Sequence, residues 1–327
     1  MRGASRRQHA LITGGAGYIG SAVSRRLLQD GWDVRVLDVL LHGQSDVADA
    51  LRAEGVDVRI GDLRDADAVG DALDGIDVVV HLAAIVGDPA VARDPATATA
   101  VNLQASEALI EAARDAGIAH FVFASTCSNY GRMADPDALA DEGTELRPVS
   151  LYAEQKVAIE RRLLAGDLPA TCLRLATIHG VSSRMRFDLT VNEFTRDLWF
   201  DRDLEIFGAQ YWRPYLHVSD AASAIARVLA APPEAVVGQV FNVGRSDENH
   251  TKRDLIDLIS VQVPKGRVHY VHRDEDPRDY RVAFDKIRDE LGFVPERRVV
   301  DGIGEVVAAL DAGCFEDPFD GRYSNTV

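Results

Sequence analysis

"TGGAGYIGSAVSRRL", residues 13–27, follows a short apolar run and governs the reading of all that comes after it. Gly14, Gly17 and Gly20 stand three apart. Glycine loses more freedom on folding than any other residue, so such a cluster needs a reason. Either the chain makes a tight turn here, or its backbone must come close to a ligand. The segment "HALITGG" (9–15) predicts a buried strand, and "YIGSAVSRRLLQDG" (18–31) a helix ended by Gly31. A helix that opens straight after a strand and a glycine loop offers unpaired N–H groups and a positive dipole end to a pyrophosphate. Gly14 and Gly17 then let the backbone turn and approach the phosphates, and Gly20 lets the helix pack closely on the strand. Tyr18 and Ile19, between the last two glycines, belong to the same expected cradle.

The pattern downstream supports the ligand reading. "WDVRVLDVL" (32–40), "VDVRIGDL" (56–63), "IDVVVHLAA" (76–84), "AHFVFAST" (119–126) and "ATCLRLATIHG" (170–180) read as strands. Helices are expected at 65–75, 95–117 and 149–166. Near-continuous apolar strands alternating with helices imply an α/β protein, a Rossmann-type doubly wound parallel sheet covered on both faces. After residue 180 the rhythm breaks into an aromatic and charged stretch suited to a ligand wall. A helix at 219–231 and a strand at 238–244 return to the sheet. Three further helices, in "RDLIDLISVQV", "FDKIRDELGF" and "VDGIGEVVAALDAG", make a smaller, mostly helical C-terminal lobe. The tail "FEDPFDGRYSNTV" has no periodicity.

Composition bounds the partners. Of 327 residues 46% are hydrophobic, enough for one large core or two modest ones. The 52 acidic against 36 basic side chains give a net charge of −16, which argues against nucleic acid and anionic membranes. No apolar run is long enough to span a membrane, and the basic N-terminus lacks the apolar region of a secretory signal. Cys127, Cys172 and Cys314 are too few and too scattered for a disulfide framework or a metal cage, so a cytoplasmic protein with no metal is expected.

Asp38 ends the second strand. An acidic side chain there accepts hydrogen bonds from a ribose diol and repels a 2′-phosphate, favouring NAD over NADP. Asp62, followed by Leu63, ends the third strand, where it faces the adenine edge. "LYAEQK" puts Tyr152 and Lys156 four apart on one helical face, and Thr126 closes a strand upstream. A tyrosine is a poor base at neutral pH, its ordinary pKa being about 10. A lysine ammonium and a nicotinamide charge beside it would favour the phenolate, and a drop of about three units takes roughly 4 kcal/mol.

These pieces, with "GDLRD", "HLAA", "VNLQAS", "STCSNYG", "RPYLHVSD" and "FNVG" in order, resemble an extended short-chain dehydrogenase/reductase of the NAD-dependent epimerase/dehydratase family acting on nucleotide sugars. The resemblance covers nearly the whole chain. It implies an NAD-binding domain over residues 1–180, with 216–244 returning to it, and a substrate lobe over 181–215 and 245–327. It implies that Tyr152 takes a proton from a sugar hydroxyl as hydride leaves the same carbon for NAD, that Lys156 holds the nicotinamide ribose, and that Thr126 bonds the reacting oxygen. Leu82, Ala83 and Ala84 would line the dinucleotide, and Asn102 would orient the active-site helix.

Members of that family diverge after the first oxidation. An Asp–Glu pair follows the threonine in the 4,6-dehydratases; here Cys127 and Ser128 stand there, within the expected substrate site. Dehydration is therefore disfavoured, and epimerisation at C4 through a transient keto sugar is the leading expectation. A dehydratase, a keto-sugar reductase and a catalytically dead dinucleotide sensor are the alternatives. Arg213, in "RPYLHVSD", resembles the family arginine that grips the diphosphate, with Arg278 or Arg281 as a second clamp. Arg184, Arg186 and Asn192 lie where diphosphate and base are held. Thr177 and His179, in "RLATIHG", depart from an asparagine often found before the family's Tyr-Gly, so sugar contacts differ. His179 reads as a packed turn histidine and Cys127 as a buried filler. The family's helix pairing implies a homodimer through 97–117 and 149–166.

Overall fold

The computed structural model describes residues 7–133, 135, 138–271 and 278–325. The basic segment 1–6 lies outside them, as do the last two tail residues and the start of "DPRDYR". In chain order the first half runs β1 (His9–Thr13), α1 (Tyr18–Gln29), β2 (Asp33–Asp38), α2 (Ser45–Ala53), β3 (Asp57–Ile60), α3 (Ala66–Leu73) and β4 (Val78–His81). Then come α4 (Asp88–Arg93), α5 (Pro95–Thr99), a π-helical stretch (Ala100–Ala105) and α6 (Ser106–Asp115). β5 (His120–Thr126), a 3-10 turn (Cys127–Tyr130), β6 (Leu139–Ala140), α7 (Leu151–Ala165), β7 (Ala170–Leu175) and β8 (Thr177–His179) follow. The second half holds α8 (Thr190–Trp199), β9 (Asp203–Phe207), β10 (Trp212–His217), α9 (Val218–Ala230), α10 (Pro233–Val236), β11 (Gln239–Val243) and β12 (Asn249–Thr251). It ends with α11 (Lys252–Gln262), β13 (Arg267–Val271), β14 (Arg281–Val282), α12 (Asp285–Leu291) and α13 (Val299–Asp311).

Seven parallel strands form one sheet in the order β11-β7-β5-β4-β1-β2-β3. Alternate strand residues feed two separate cores, as the two-residue repeat of a strand requires. Ala10, Ile12, Val36, Val80 and Val122 pack with α1, α2 and α9 on one face. Leu11, Leu37, Val79, Phe121 and Phe123 pack with α3, α6 and α7 on the other. Both faces are therefore covered, as the apolar runs predicted. A third core joins α8, α11, α13 and β9.

Three details differ from the sequence reading. α2 fills the loop between the second and third expected strands. The strand expected over 170–180 breaks at Ala176: β7 stays in the main sheet, whereas β8 pairs with β10 in a small three-stranded sheet. The helix expected over 95–117 carries the π-helical stretch, within which Asn102 is buried. No helix among the described residues is long and apolar enough to cross a membrane.

Candidate functional site

The strand order steps outward in both directions from β1 and β4, and a crevice opens where the two halves part. It is a cleft of about 560 Å³ walled by the glycine loop, the ends of β2, β4 and β5, the start of α7 and residues of the C-terminal lobe. Gly14, Gly17, Tyr18, Ile19, Gly20, Asp38, Asp62, Leu63, Leu82, Ala83, Ala84, Tyr152 and Lys156 all line it. So do Thr126, Ser128, Thr177, Arg184, Arg186, Arg213 and Arg278.

The glycine loop fits a dinucleotide phosphate on its own geometry. Gly14 has φ +70°, and a Cβ there would lie 2.9 Å from the Ala83 backbone, so only glycine allows the turn and the approach to β4 together. α1 begins after Gly17, which offers no side-chain cap and so leaves the first N–H groups of the helix free beside the cleft. Asp38 is buried; Oδ2 accepts from Ala16 N at 3.0 Å and Oδ1 from Leu40 N at 2.8 Å. Burial pushes its carboxyl above the usual range, and these backbone bonds oppose the shift. Asp62 is held by Arg64, whose Nη2 lies 2.6 Å from Oδ2 and keeps the carboxyl low.

Tyr152 and Lys156 sit on consecutive turns of α7, which Ser150 caps through Ala153 N. Lys156 Nζ donates to Ala124 O at 2.7 Å, lies 4.6 Å from the Phe123 ring centre and 5.9 Å from that of Tyr152. Burial pushes its pKa down to about 8. Burial also pushes the Tyr152 phenol above its ordinary value, with the Arg186 guanidinium the main opposing influence. The phenol is thus neutral in this arrangement. The Lys156 ammonium hydrogen-bonds the end of β5. Thr126 Oγ1 donates to Ser128 Oγ at 3.0 Å, and Ser128 Oγ lies 3.4 Å from Tyr280 OH.

Several of the residues singled out in the sequence serve the frame. Asn102 is off the cleft: it clasps Ile85 through both backbone groups (2.7 and 3.0 Å) and donates to Gln155 Oε1 at 2.9 Å, tying the β4 loop to α7. Asn192 is fully buried and spends its amide on Gly180 N, Arg186 O and Tyr18 OH. Cys127 points into the core behind the strand end, its thiol donating to Arg174 O at 3.2 Å and pushed up by burial. Arg281, in β14, packs over Trp212 outside the cleft, so of the two proposed second clamps only Arg278 lines it. Arg184 is buried in the cleft wall and donates to Asn325 Oδ1 at 2.6 Å and Ser324 O at 3.1 Å. His179 is a packed histidine, 5.3 Å from His217, its pKa well below the ordinary value through burial.

At the other end Arg213 donates to Trp212 O and Arg278 O (2.6 and 2.7 Å) and lies 5.1 Å from the Tyr280 ring centre. Arg278 pairs with Asp88 at 2.6 Å. Sequence reasoning missed Tyr215, Lys252, Tyr280 and Asn325, which also line the cleft. Tyr280 stood inside the quoted "DPRDYR"; nothing periodic marked Asn325.

A model of the NAD dependent epimerase/dehydratase family matches residues 10–244. The chain belongs to that family. It is 32% identical over 310 residues to a UDP-glucose 4-epimerase of Mycolicibacterium smegmatis, covering 91% of this chain and 96% of the relative. It is 30% identical over 313 residues to a dTDP-glucose 4,6-dehydratase of Streptomyces niveus, covering 91% of each. The solved UDP-glucose 4-epimerase of Thermus thermophilus, in complex with NAD, superposes with a TM-score of 0.82 at 28% identity, over 94% of this chain and all of that one. This epimerase/dehydratase family member is thus an NAD-dependent enzyme with a Rossmann-like sheet.

Proposed function

We propose that the protein is a nucleotide-sugar epimerase that inverts C4 through a transient keto sugar. The observation carrying this is that Thr126, Tyr152 and Lys156 line the same cleft as the uncapped start of α1. NAD supplies a hydride acceptor there that can return the hydride to the opposite sugar face. Tyr152 exchanges the proton of the C4 hydroxyl, Thr126 holds that oxygen, and Lys156 holds the nicotinamide ribose and favours the phenolate once cationic charge is added nearby. Arg213 and Arg278 hold the sugar diphosphate, a fork-shaped fit for that anion.

Epimerisation is favoured over dehydration by a specific feature. Among the described residues lining the cleft the only carboxylates are Asp38 and Asp62, both at the β2–β3 end. Among the described residues the carboxylate whose charge reaches Tyr152 is Asp88, which does not line the cleft and is paired with Arg278, and the Cys127 thiol is shut in the core. The division into a cofactor domain (1–180 with 216–244) and a substrate lobe is part of this reading. So is a homodimer through the helical segments 97–117 and 149–166, where Leu151 and Leu164 of α7 are exposed; a monomer by light scattering would remove that part. The test is Tyr152→Phe. It should bind NAD as the wild type does and lose turnover of UDP-hexoses by at least about a hundredfold, within the range general-base removal costs. Undiminished turnover would overturn the assignment.

A further inference from the structure

Arg184 is 5% exposed and lines the cleft, yet its Nε has no acceptor among the described residues. A buried guanidinium N–H left unpaired is costly, so its position calls for a ligand. Its other two nitrogens are fixed by the C-terminal tail: Nη1 donates to Asn325 Oδ1 at 2.6 Å and Nη2 to Ser324 O at 3.1 Å. Asn325 is buried, lines the same cleft, and donates its N–H to Asp188 Oδ2 at 3.1 Å.

The tail is anchored at three further places before it reaches Arg184. Phe319 lies between the guanidinium groups of Arg196 and Arg202, 4.3 and 4.4 Å from its ring centre. Phe315 and Tyr323 pack edge-on against Phe187, at 5.0 and 5.8 Å between ring centres. Phe187 N donates to Tyr323 O at 2.8 Å. The loop carrying Arg184 is also fastened to the first turn of α1, through Ser182 Oγ to Tyr18 O at 2.6 Å. The loop that carries Arg184 thus meets the start of α1, and the Arg184 charge reaches Asp38 in the same cleft, at its adenosine end.

We infer that Arg184 binds an oxygen of the cofactor's adenosine half, its ribose or the adjoining phosphate, and that the C-terminal tail is the strap that holds it there. The inference rests on the cleft's being the dinucleotide site. It makes Arg184 a cofactor-binding residue delivered from the C-terminal lobe, and Asn325 its positioning residue. Retention of NAD then depends on a segment far from the glycine loop in sequence.

The experiment is calorimetric titration of the cofactor-free protein with NAD, ADP and adenosine, with circular dichroism as the check on folding. Arg184→Ala should weaken NAD and ADP about tenfold or more, the loss of one charge-assisted hydrogen bond. A matching loss for adenosine assigns the ribose; unchanged adenosine binding assigns the phosphate. Asn325→Ala, close to the chain end, should weaken NAD severalfold, and the double variant should be no weaker than Arg184→Ala alone. Should Arg184→Ala fail to fold, Arg184→Lys and Asn325→Ala carry the test, both weakening NAD. Wild-type NAD affinity in folded variants at position 184 overturns the inference. Full additivity in the double variant overturns the role given to the tail. Failure of the wild-type chain to bind NAD overturns the reading of the cleft itself, and this inference with it.

Discussion

Replacing Gly17 by alanine separates a glycine that shapes a turn from one that makes room for a ligand. Gly17 has φ −76° and ψ −175°, a conformation open to any residue. A Cβ there meets only the Gly14 carbonyl oxygen, at 3.1 Å, which a shift of a few tenths of an ångström relieves. At Gly20 the Cβ runs into the same carbonyl and lies 2.6 Å from Gly15 Cα, backbone that cannot yield unless the loop moves. Gly20→Ala should therefore lower stability by about 1 to 3 kcal/mol, the usual cost of overpacking, and weaken NAD as the loop shifts. Gly17→Ala should keep stability within about 1 kcal/mol. It should still lose cofactor, because the methyl group stands where a phosphate must come close to the first N–H groups of α1. Loss of one hydrogen bond to a charged group, about 1.5 to 3 kcal/mol, weakens NAD roughly 10- to 150-fold. Thermal denaturation without cofactor and calorimetric NAD titration read the two effects separately. A Gly17→Ala variant with wild-type melting and wild-type NAD affinity would refute the phosphate cradle.

Two further predictions concern the supports of the site. Glu160 and Arg174 form a buried ion pair, 2% and 5% exposed, and Glu160 also accepts from Ser125 Oγ at 2.8 Å, bracing the end of β5. Glu160→Gln leaves the guanidinium uncompensated and should cost about 3 to 5 kcal/mol in urea denaturation; a loss under about 1 kcal/mol would show the pair contributes little. Lys156 has its pKa depressed to about 8 from 10.5, so between these values the unfolded chain binds a proton that the folded chain does not. The wild type should therefore gain stability relative to Lys156→Met as pH rises through that window, by roughly 3 kcal/mol at most. A difference between the two that stays flat from pH about 7 to about 10.5 would contradict the burial argument.

The main sheet was legible because its strands are apolar on both faces and the glycine loop sits at the first turn. What escaped was either short or tertiary. α2 buries only Val47, Ala48 and Leu51, too brief a pattern to separate from a loop. The break at Ala176 depends on β10 offering β8 a second partner, which no local property of "ATCLRLATIHG" encodes. Cys127 and Asn192 are chemically able residues in plausible places, and only the direction of each side chain removes them from the cleft. Arg184 was expected, from the family resemblance, where diphosphate and base are held; the bonds that fix it and its loop, to the tail and to α1, are tertiary and leave no local signal. Tyr152, Lys156 and Thr126 could be read from spacing, but the burial that raises the phenol could not.

The most direct measurement follows deuterium placed at C4 of UDP-glucose, incubated with the enzyme and NAD and read by NMR. Inversion through a returned hydride predicts a C4 epimer that keeps the deuterium at C4, with none exchanged for solvent hydrogen. Deuterium found at C6 of a 4-keto-6-deoxy product, or lost from the sugar into free reduced cofactor, would contradict it.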